Sequence, residues 1–337
     1  MNNRSSGPRS FNTVKRSNRE ERLKRRRRCG LTLIAIVVVF LLLVASTLGL
    51  LIGNLVVAIR NGRTDPGGKN DTPDQPALPG ISYQLSTEKT EDYLTGELIV
   101  VNNSHRYQFP TVEMKDLSAY RQTVDGKEPY QIRLGTKANL QEIAAVQLNA
   151  LLTDYYRQTG ISLVVYDTYR SQTQPEEGGY SVKAGFSEHH TGLLISLSQS
   201  HTGYNLNEEE NELLFRMCHE YGFIQRYPAG KSGLTGVGNY GECLRYVGVA
   251  HATYIYKNGL CLEDYVELLR KNHVSLQGTD GKHLSVDTDQ NGVADYAVYY
   301  VPKGDTSVTT LYTPVGLPFT VSGDNAGGFI VTVSLHP

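Results

Sequence analysis

Cysteine is scarce in this 337-residue chain, with only Cys29, Cys218, Cys243 and Cys261. Four are too few for a fold held together by disulfides. Three of them lie beyond residue 60, and an odd number leaves at least one thiol unpaired within the chain. A bridge between Cys243 and Cys261 stays open on the sequence, and it would withdraw Cys243 from any metal chemistry. Net charge is also small, −1 overall, but it is unevenly spread. Residues 1–30 carry eleven Lys and Arg against Glu20 and Glu21, a charge of +9, so everything from Leu31 onward carries −10. An acidic domain lacks the basic face that phosphate contacts need, which excludes nucleic acid as a partner. No internal repeat is visible.

Charge is missing altogether between Leu31 and Ile59. At 29 residues this run exceeds the ~20 that span a bilayer as a helix, and only Thr32, Ser46, Thr47 and Asn54 are polar within it. The basic run Lys24 to Arg28 precedes it, while only Arg60 and Arg63 follow closely. Positive charge stays on the cytoplasmic side. The expectation is therefore a single-pass cell-membrane protein with residues 1–30 as a cytoplasmic tail, a transmembrane helix over 31–59 and the rest extracellular. A cleaved secretory signal has an apolar core of only about 7–15 residues and a small-residue cleavage site. The run is about twice that and no Ala-x-Ala follows, so the anchor is expected to remain. The basic tail sets topology and suits anionic lipid. Cys29 would lie at the inner membrane face, as an acylation site or an idle thiol.

Prolines and glycines then punctuate the chain through Asp65-Pro66-Gly67-Gly68, Pro73, Pro76 and Pro79, so residues 60–90 read as a flexible linker. Glu97 to Asn102 and Tyr130 to Leu134 read as strands. Asn139 to Arg157 places Leu140, Ile143, Ala144, Leu148, Leu151, Leu152 and Tyr155 at helical spacing, and Gly160 terminates it. Ile161 to Tyr166 and Gly192 to Leu197 are short apolar runs suited to buried strands. Asn207 with three glutamates opens a helix ending near Gly222, and Ala250–Asn258 and Leu262–Lys271 predict two more around Gly259. From His273 helical periodicity disappears. Asn291-Gly292 before Val293–Val301 signals a hairpin, and Phe319–Val321 and Phe329–Val333 add strands. The reading is an α+β domain over 91–275 with a small antiparallel sheet and flanking helices, followed by an all-β module over 276–337.

The segment Gly185-Phe186-Ser187-Glu188-His189-His190-Thr191-Gly192-Leu193-Leu194-Ile195-Ser196 resembles the S-x-H-x-x-G-x-A-x-D motif of the VanY-like D-alanyl-D-alanine carboxypeptidases. Tyr169-Arg170-Ser171 with Gln174 is similar to that family's Y-R-S-x-x-x-Q segment. Tyr221-Gly222-Phe223-Ile224 with Arg226-Tyr227-Pro228 is similar to its Y-G-F-I-x-R-Y-P segment. Arg245-Tyr246-Val247-Gly248 and Tyr254 to Leu260 match the region after its last catalytic motif. These segments occur in family order across roughly residues 95–270, far more specific than one motif. The resemblance implies a zinc D,D-peptidase fold and a cell-wall stem peptide as ligand.

It also implies zinc ligands His, Asp and His with a Glu as general base, and here the chain departs. His189 keeps the first position. Ser196 stands at the Asp position, where a neutral hydroxyl is a poor zinc ligand. Cys243 stands at the second His and Tyr240 at the Glu. His189 and Cys243 make two ligands where a catalytic site needs three. Glu242 does not rescue the base, since using it shifts Arg245 to the ligand position. His190 is expected to face away, and His201 and His219 read as surface residues. Tyr240, with an ordinary pKa near 10, is no base for water.

Arg170, Ser171, Gln174 and Ser187 match the family's substrate-binding positions, and arginine suits a terminal carboxylate through its forked geometry. Holding the loop together is an equal role for them. The expectation is a catalytically silent pseudopeptidase with no cofactor, binding peptidoglycan stem peptide or a cell-surface protein. An active zinc carboxypeptidase or endopeptidase with a rearranged metal site, and a structural surface protein, are the alternatives. Asp287-Thr288-Asp289-Gln290-Asn291-Gly292 begins like a calcium loop, but Val298 replaces the bidentate Glu, so a polar hairpin turn is the simpler account. Tyr299 and Tyr300 read as packing residues of a strand.

Overall fold

A computed structural model describes residues 81–172, 183–203, 206–238, 240–271 and 283–336. The expected tail and transmembrane helix lie outside these residues, as does Gln174. Among the described residues no helix is long and apolar enough to cross a membrane.

The strands in chain order are β1 (Tyr83–Lys89), β2 (Met114–Asp116), β3 (Tyr130–Ile132), β4 (Asn139–Gln141), β5 (Leu163–Asp167), β6 (Leu194–Ser198), β7 (Phe223–Tyr227) and β8 (Tyr240–Tyr246). They continue as β9 (Leu284–Val286), β10 (Tyr296–Pro302), β11 (Val308–Pro314), β12 (Phe319–Gly323) and β13 (Gly328–Ser334). The helices are α1 (Glu142–Thr159), α2 (Glu212–Met217), the single turn α3 (Ser232–Thr235), α4 (Val249–Asn258) and α5 (Leu262–Lys271).

The central sheet has the order β3-β5-β6-β8-β7. It is mixed rather than purely antiparallel, because β3 runs parallel to β5 at one edge while the other pairs are antiparallel. Its core face carries Val165, Ile195, Leu197, Leu244 and Phe223, packed with Ala144, Leu148, Leu151 and Leu152 of α1. Side chains alternate along a strand, so Leu194, Ser196 and Cys243 are turned to the opposite face. That face carries the site. Burying each leucine of α1 contributes about 1.5–3 kcal/mol, and Leu148, fully buried, would cost about 2–5 kcal/mol as alanine.

Most expected elements are present, with shifts that have physical causes. The α1 helix ends at Gly160 in the left-handed conformation, φ 72°, but begins after a short strand, β4. Asn207 opens a turn instead of a helix, its side chain accepting from Glu209 N and Glu210 N, and α2 starts at Glu212. Of Glu97–Asn102, Leu98 to Asn102 are buried, but the segment is not a sheet strand. Its Leu98 N donates to Ser322 Oγ and its Val100 N to the Asp324 carbonyl.

Within the stretch read as linker, Tyr83–Lys89 forms β1 and pairs antiparallel with β11 over seven residues. The C-terminal strands form a sheet of order β12-β13-β10-β9, with the expected hairpin joining β9 and β10 through residues 287–295. This sheet shares a core with the helices of the preceding domain. Val298, Tyr300 and Ile330 pack with Ile255 of α4 and Tyr265, Val266 and Leu269 of α5. Buried His251 on α4 ties the two together, with Nδ1 on Tyr265 Oη at 2.7 Å and Nε2 on Thr332 Oγ1 at 2.9 Å.

Candidate functional site

The motif residues are aimed by one tight turn. Glu188–Thr191 form a single 3-10 turn, closed by Gly192 at φ 69°, and β6 follows at once. A side chain at Gly192 would meet Met114 at 2.5 Å as well as being strained by that φ. Gln141 at the start of α1 fixes the turn, its N donating to the Gly192 carbonyl and its Nε2 to the Thr191 carbonyl.

His189, Ser196 and Cys243 meet. Ser196 and Cys243 are partners across β6 and β8, with Ser196 Oγ 3.4 Å from Cys243 Sγ and 3.4 Å from His189 Nε2. His189 Nδ1 lies 2.6 Å from the Thr168 carbonyl. A carbonyl only accepts, so Nδ1 carries the proton and Nε2 is the acceptor. The Ser196 hydroxyl then donates to His189, and the Cys243 thiol donates to Ser196. The row is a donor chain that runs from thiol to hydroxyl to imidazole to carbonyl.

The electrostatics agree with that assignment. Burial lowers the His189 pKa to about 4, outweighing the nearby Asp167 charge, so the imidazole is neutral at pH 7. Burial, helped by the Glu242 charge, pushes the Cys243 thiol up to about 12, although the Ser196 hydroxyl alone would favour the thiolate.

Zinc, which the resemblance implies, does not fit this donor set. It takes deprotonated sulfur, imidazole nitrogen or carboxylate oxygen, three of them in a catalytic site. Here one imidazole nitrogen and one thiol sulfur stand beside a neutral hydroxyl, two potential ligands where three are needed. Among the described residues, only Asp287, Asp289 and Asp295 form a group of three potential ligands within 4.8 Å of one another. They belong to the β9–β10 loop, where Asp287 and Asp295 already accept backbone N–H groups.

The other histidines do not complete the set. His190 turns away, with Nδ1 on the Arg170 carbonyl at 2.9 Å and its ring against Phe109. His201 bonds Gln131. His219, expected at the surface, is buried and stacked on Tyr256 with centroids 4.2 Å apart. Tyr240 is 41% exposed and meets Tyr227 edge-on. Cys218, Cys243 and Cys261 are all free and buried, so the bridge considered between Cys243 and Cys261 is not formed.

Of the binding positions, Arg170 is buried, its backbone N donating to the His189 carbonyl. Its Nε lies 3.0 Å from Asp167 Oδ2, and its Nη2 contacts the same oxygen. Ser171 lines a cavity beside this pair. Ser187 is half-buried at the start of the 3-10 turn.

Two acidic residues escaped the sequence reading. Glu188, within the motif itself, is fully buried between Arg226 Nε at 2.7 Å and Arg245 Nε at 3.0 Å. Arg226 also holds Glu263 at 2.6 Å. Asp167 pairs with Ser196 across β5 and β6, and a bulge after Val165 brings it, rather than Tyr166, into that row. The hydrophobic pattern signalled neither one.

Comparison with known proteins agrees with the motif order. The VanY family, described as D-alanyl-D-alanine carboxypeptidase, matches residues 104–249. A D-alanyl-D-alanine carboxypeptidase of Enterococcus faecium is 28% identical over 258 residues, covering 74% of this chain and 79% of that protein. Another from Enterococcus faecalis is 36% identical over 96 residues, 28% of this chain and 35% of that protein. Among solved structures, the vancomycin resistance D,D-dipeptidase VanXYg aligns with a TM-score of 0.62 at 22% identity, over 75% of this chain and 99% of its own. At that identity the likeness concerns the fold. With the ordered motifs and the placement of His189, Ser196 and Cys243 at one centre, residues 104–249 form a VanY-type domain, matching the family described as D-alanyl-D-alanine carboxypeptidase.

Proposed function

We propose that this protein is a membrane-anchored, extracellular pseudopeptidase that binds the carboxylate end of a cell-wall stem peptide without hydrolysing it. The observation that carries this is the donor chain Cys243–Ser196–His189–Thr168. A hydrogen-bonded hydroxyl and a protonated thiol stand where the family's fold would place ligands. The general-base position is an exposed tyrosine. Without an activated water, cleavage has no nucleophile.

The binding side is better preserved. Arg170 keeps a guanidinium beside the centre, and the adjoining cavity of about 410 Å³ is lined by Arg133, Lys137, Asn139, Asp167, Arg170 and Ser171. The uncharged run 31–59 supplies the anchor, with the basic tail inside.

The test pairs calorimetry with a hydrolysis assay on the purified full chain. Acetyl-D-Ala-D-Ala is expected to bind and to be recovered intact, and Arg170→Ala is expected to weaken binding at least tenfold, as loss of a charge-assisted pair does. Chelator-sensitive release of D-alanine would establish an active metallopeptidase instead. Absence of binding, unchanged by Arg170→Ala, would leave a scaffold role.

A further inference from the structure

The turn between β12 and β13 reaches into the peptidase-like domain. Asn325 sits in it at φ 57° and is buried, its backbone N donating to the Tyr93 carbonyl at 2.8 Å. Its side-chain amide carries two hydrogens. They go to the Val100 carbonyl at 2.9 Å and the Arg106 carbonyl at 3.2 Å. Asp324 beside it fixes the turn, its Oδ1 accepting the N–H groups of Ala326, Gly327 and Gly328. Between the two clasped carbonyls, Asn102 and His105 pair to close a tight loop. One amide therefore holds both limbs of that loop at its mouth.

The second limb leads straight to the motif. Tyr107, next after Arg106, donates its N–H to the Gly185 carbonyl at 2.7 Å, and a side chain at Gly185 would meet Arg106 at 2.8 Å. Two residues further on, Phe109 is held at φ 54°, a left-handed conformation that a bulky residue keeps only where its surroundings impose it. In that conformation its ring packs on buried His190, with centroids 4.9 Å apart. His190 Nδ1 in turn donates to the Arg170 carbonyl at 2.9 Å. Strain of this kind gathers at binding sites, where it aims a side chain.

On the peptide-binding role proposed above, we infer that Asn325 is a positioning residue of the peptide site. From the C-terminal sheet it fixes the loop between Val100 and Arg106, and through Phe109 and His190 it sets the backbone at Arg170. The β12–β13 turn is then part of the binding apparatus as well as a packing contact. A site is held to its working geometry by such supporting hydrogen bonds behind the residues that meet the ligand. Asn325 and Phe109 act in series on one object, so removing both weakens the site no further than removing either.

The experiment titrates acetyl-D-Ala-D-Ala into the full chain and into Asn325→Gly, Phe109→Leu, the double variant and His251→Gln. Glycine keeps the left-handed backbone at 325 while removing the amide, and leucine keeps apolar bulk at 109 while removing the ring. His251→Gln loosens the same sheet at its other joint without touching the loop. Unfolding curves establish that each variant is folded. Each loop variant is expected to weaken binding about fivefold, in the range of one hydrogen bond or one ring contact. The double variant is expected to bind no more weakly than either single one, and His251→Gln to bind as the wild type does. Amide hydrogen exchange at Tyr107, which reads its bond to Gly185, is expected to quicken in Asn325→Gly. Unchanged binding by folded Asn325→Gly, or unchanged exchange at Tyr107, would overturn the positioning role. Additive losses in the double variant would also overturn it, as would an equal loss in His251→Gln, since the effect would then be general destabilisation. No binding by the wild-type protein would remove the peptide-binding role itself, and the positioning role with it.

Discussion

Ser196 and Cys243 face each other across β6 and β8 at 3.4 Å, close enough for thiol and hydroxyl to satisfy one another. A metal centre needs its ligands aimed at one common ion, with donor atoms about 2.0–2.3 Å from it. Here the side chains are aimed at each other. The family fold is kept, and at its centre these side chains form an internal hydrogen-bonded chain.

The first prediction concerns metal content. After zinc loading and desalting, the purified protein is expected to retain less than about a tenth of an equivalent, because His189 and Cys243 supply two potential ligands where a catalytic site needs three. Restoring them by Ser196→Asp with Cys243→His is expected to bring retention to about one equivalent. Elemental analysis reads both. A stoichiometric zinc in the wild-type protein would mean that a third ligand completes the site and that the protein is to be assayed as a peptidase.

The second prediction concerns Glu188. It is buried with Arg226 and Arg245, both at 0% exposure. Glu188→Ala would leave Arg226 with Glu263, but Arg245 with the carbonyls of Tyr246 and Ile99 and the more distant Glu97 charge. Breaking a buried ion pair from one side costs about 3–5 kcal/mol. Urea unfolding is expected to show a loss of that size. A loss under about 1 kcal/mol would mean that water reaches Arg245.

Glu188 also illustrates what could be read in advance. Ser187, His189 and Gly192 announce themselves by spacing, and α1 by its periodic leucines. The partners of Glu188 lie 38 and 57 residues on, at Arg226 and Arg245, and only the pairing of β7 with β8 brings them together. Strand β1 was hidden for a similar reason. Its polar sequence YQLSTEK has no buried face of its own and becomes a strand through pairing with β11, more than two hundred residues away. Asp167 needed knowledge of a bulge, which shifts a side chain by one place without leaving a trace in composition.

The third prediction concerns thiols. Burial pushes Cys218 and Cys243 up to about 12 and Cys261 up to about 11, and the thiolate is the reactive form. Iodoacetamide at pH 8 is expected to leave all three unmodified in the folded protein and to modify all three in urea, read by peptide mass spectrometry. Rapid native labelling of Cys243 would show an accessible thiolate and reopen its role as a ligand.

The last prediction follows from His251, which bridges Tyr265 on α5 and Thr332 on β13. Burial lowers its pKa from 6.5 to about 3. Between those values the unfolded chain takes up a proton that the folded protein refuses. The stability from keeping His251 neutral is therefore fully present above pH 6.5 and is lost as pH falls toward 3. The slope is about 1.4 kcal/mol per pH unit. From pH 7 to pH 5 the wild-type protein is expected to lose roughly 2 kcal/mol more unfolding free energy than His251→Gln. The other buried histidines contribute equally to both proteins and cancel in that difference. Because His251 joins the C-terminal sheet to the helices of the peptidase-like domain, acid should loosen that joint in the wild-type protein. Equal losses in the two proteins would mean that His251 is protonated in the fold, with Thr332 accepting from its Nε2.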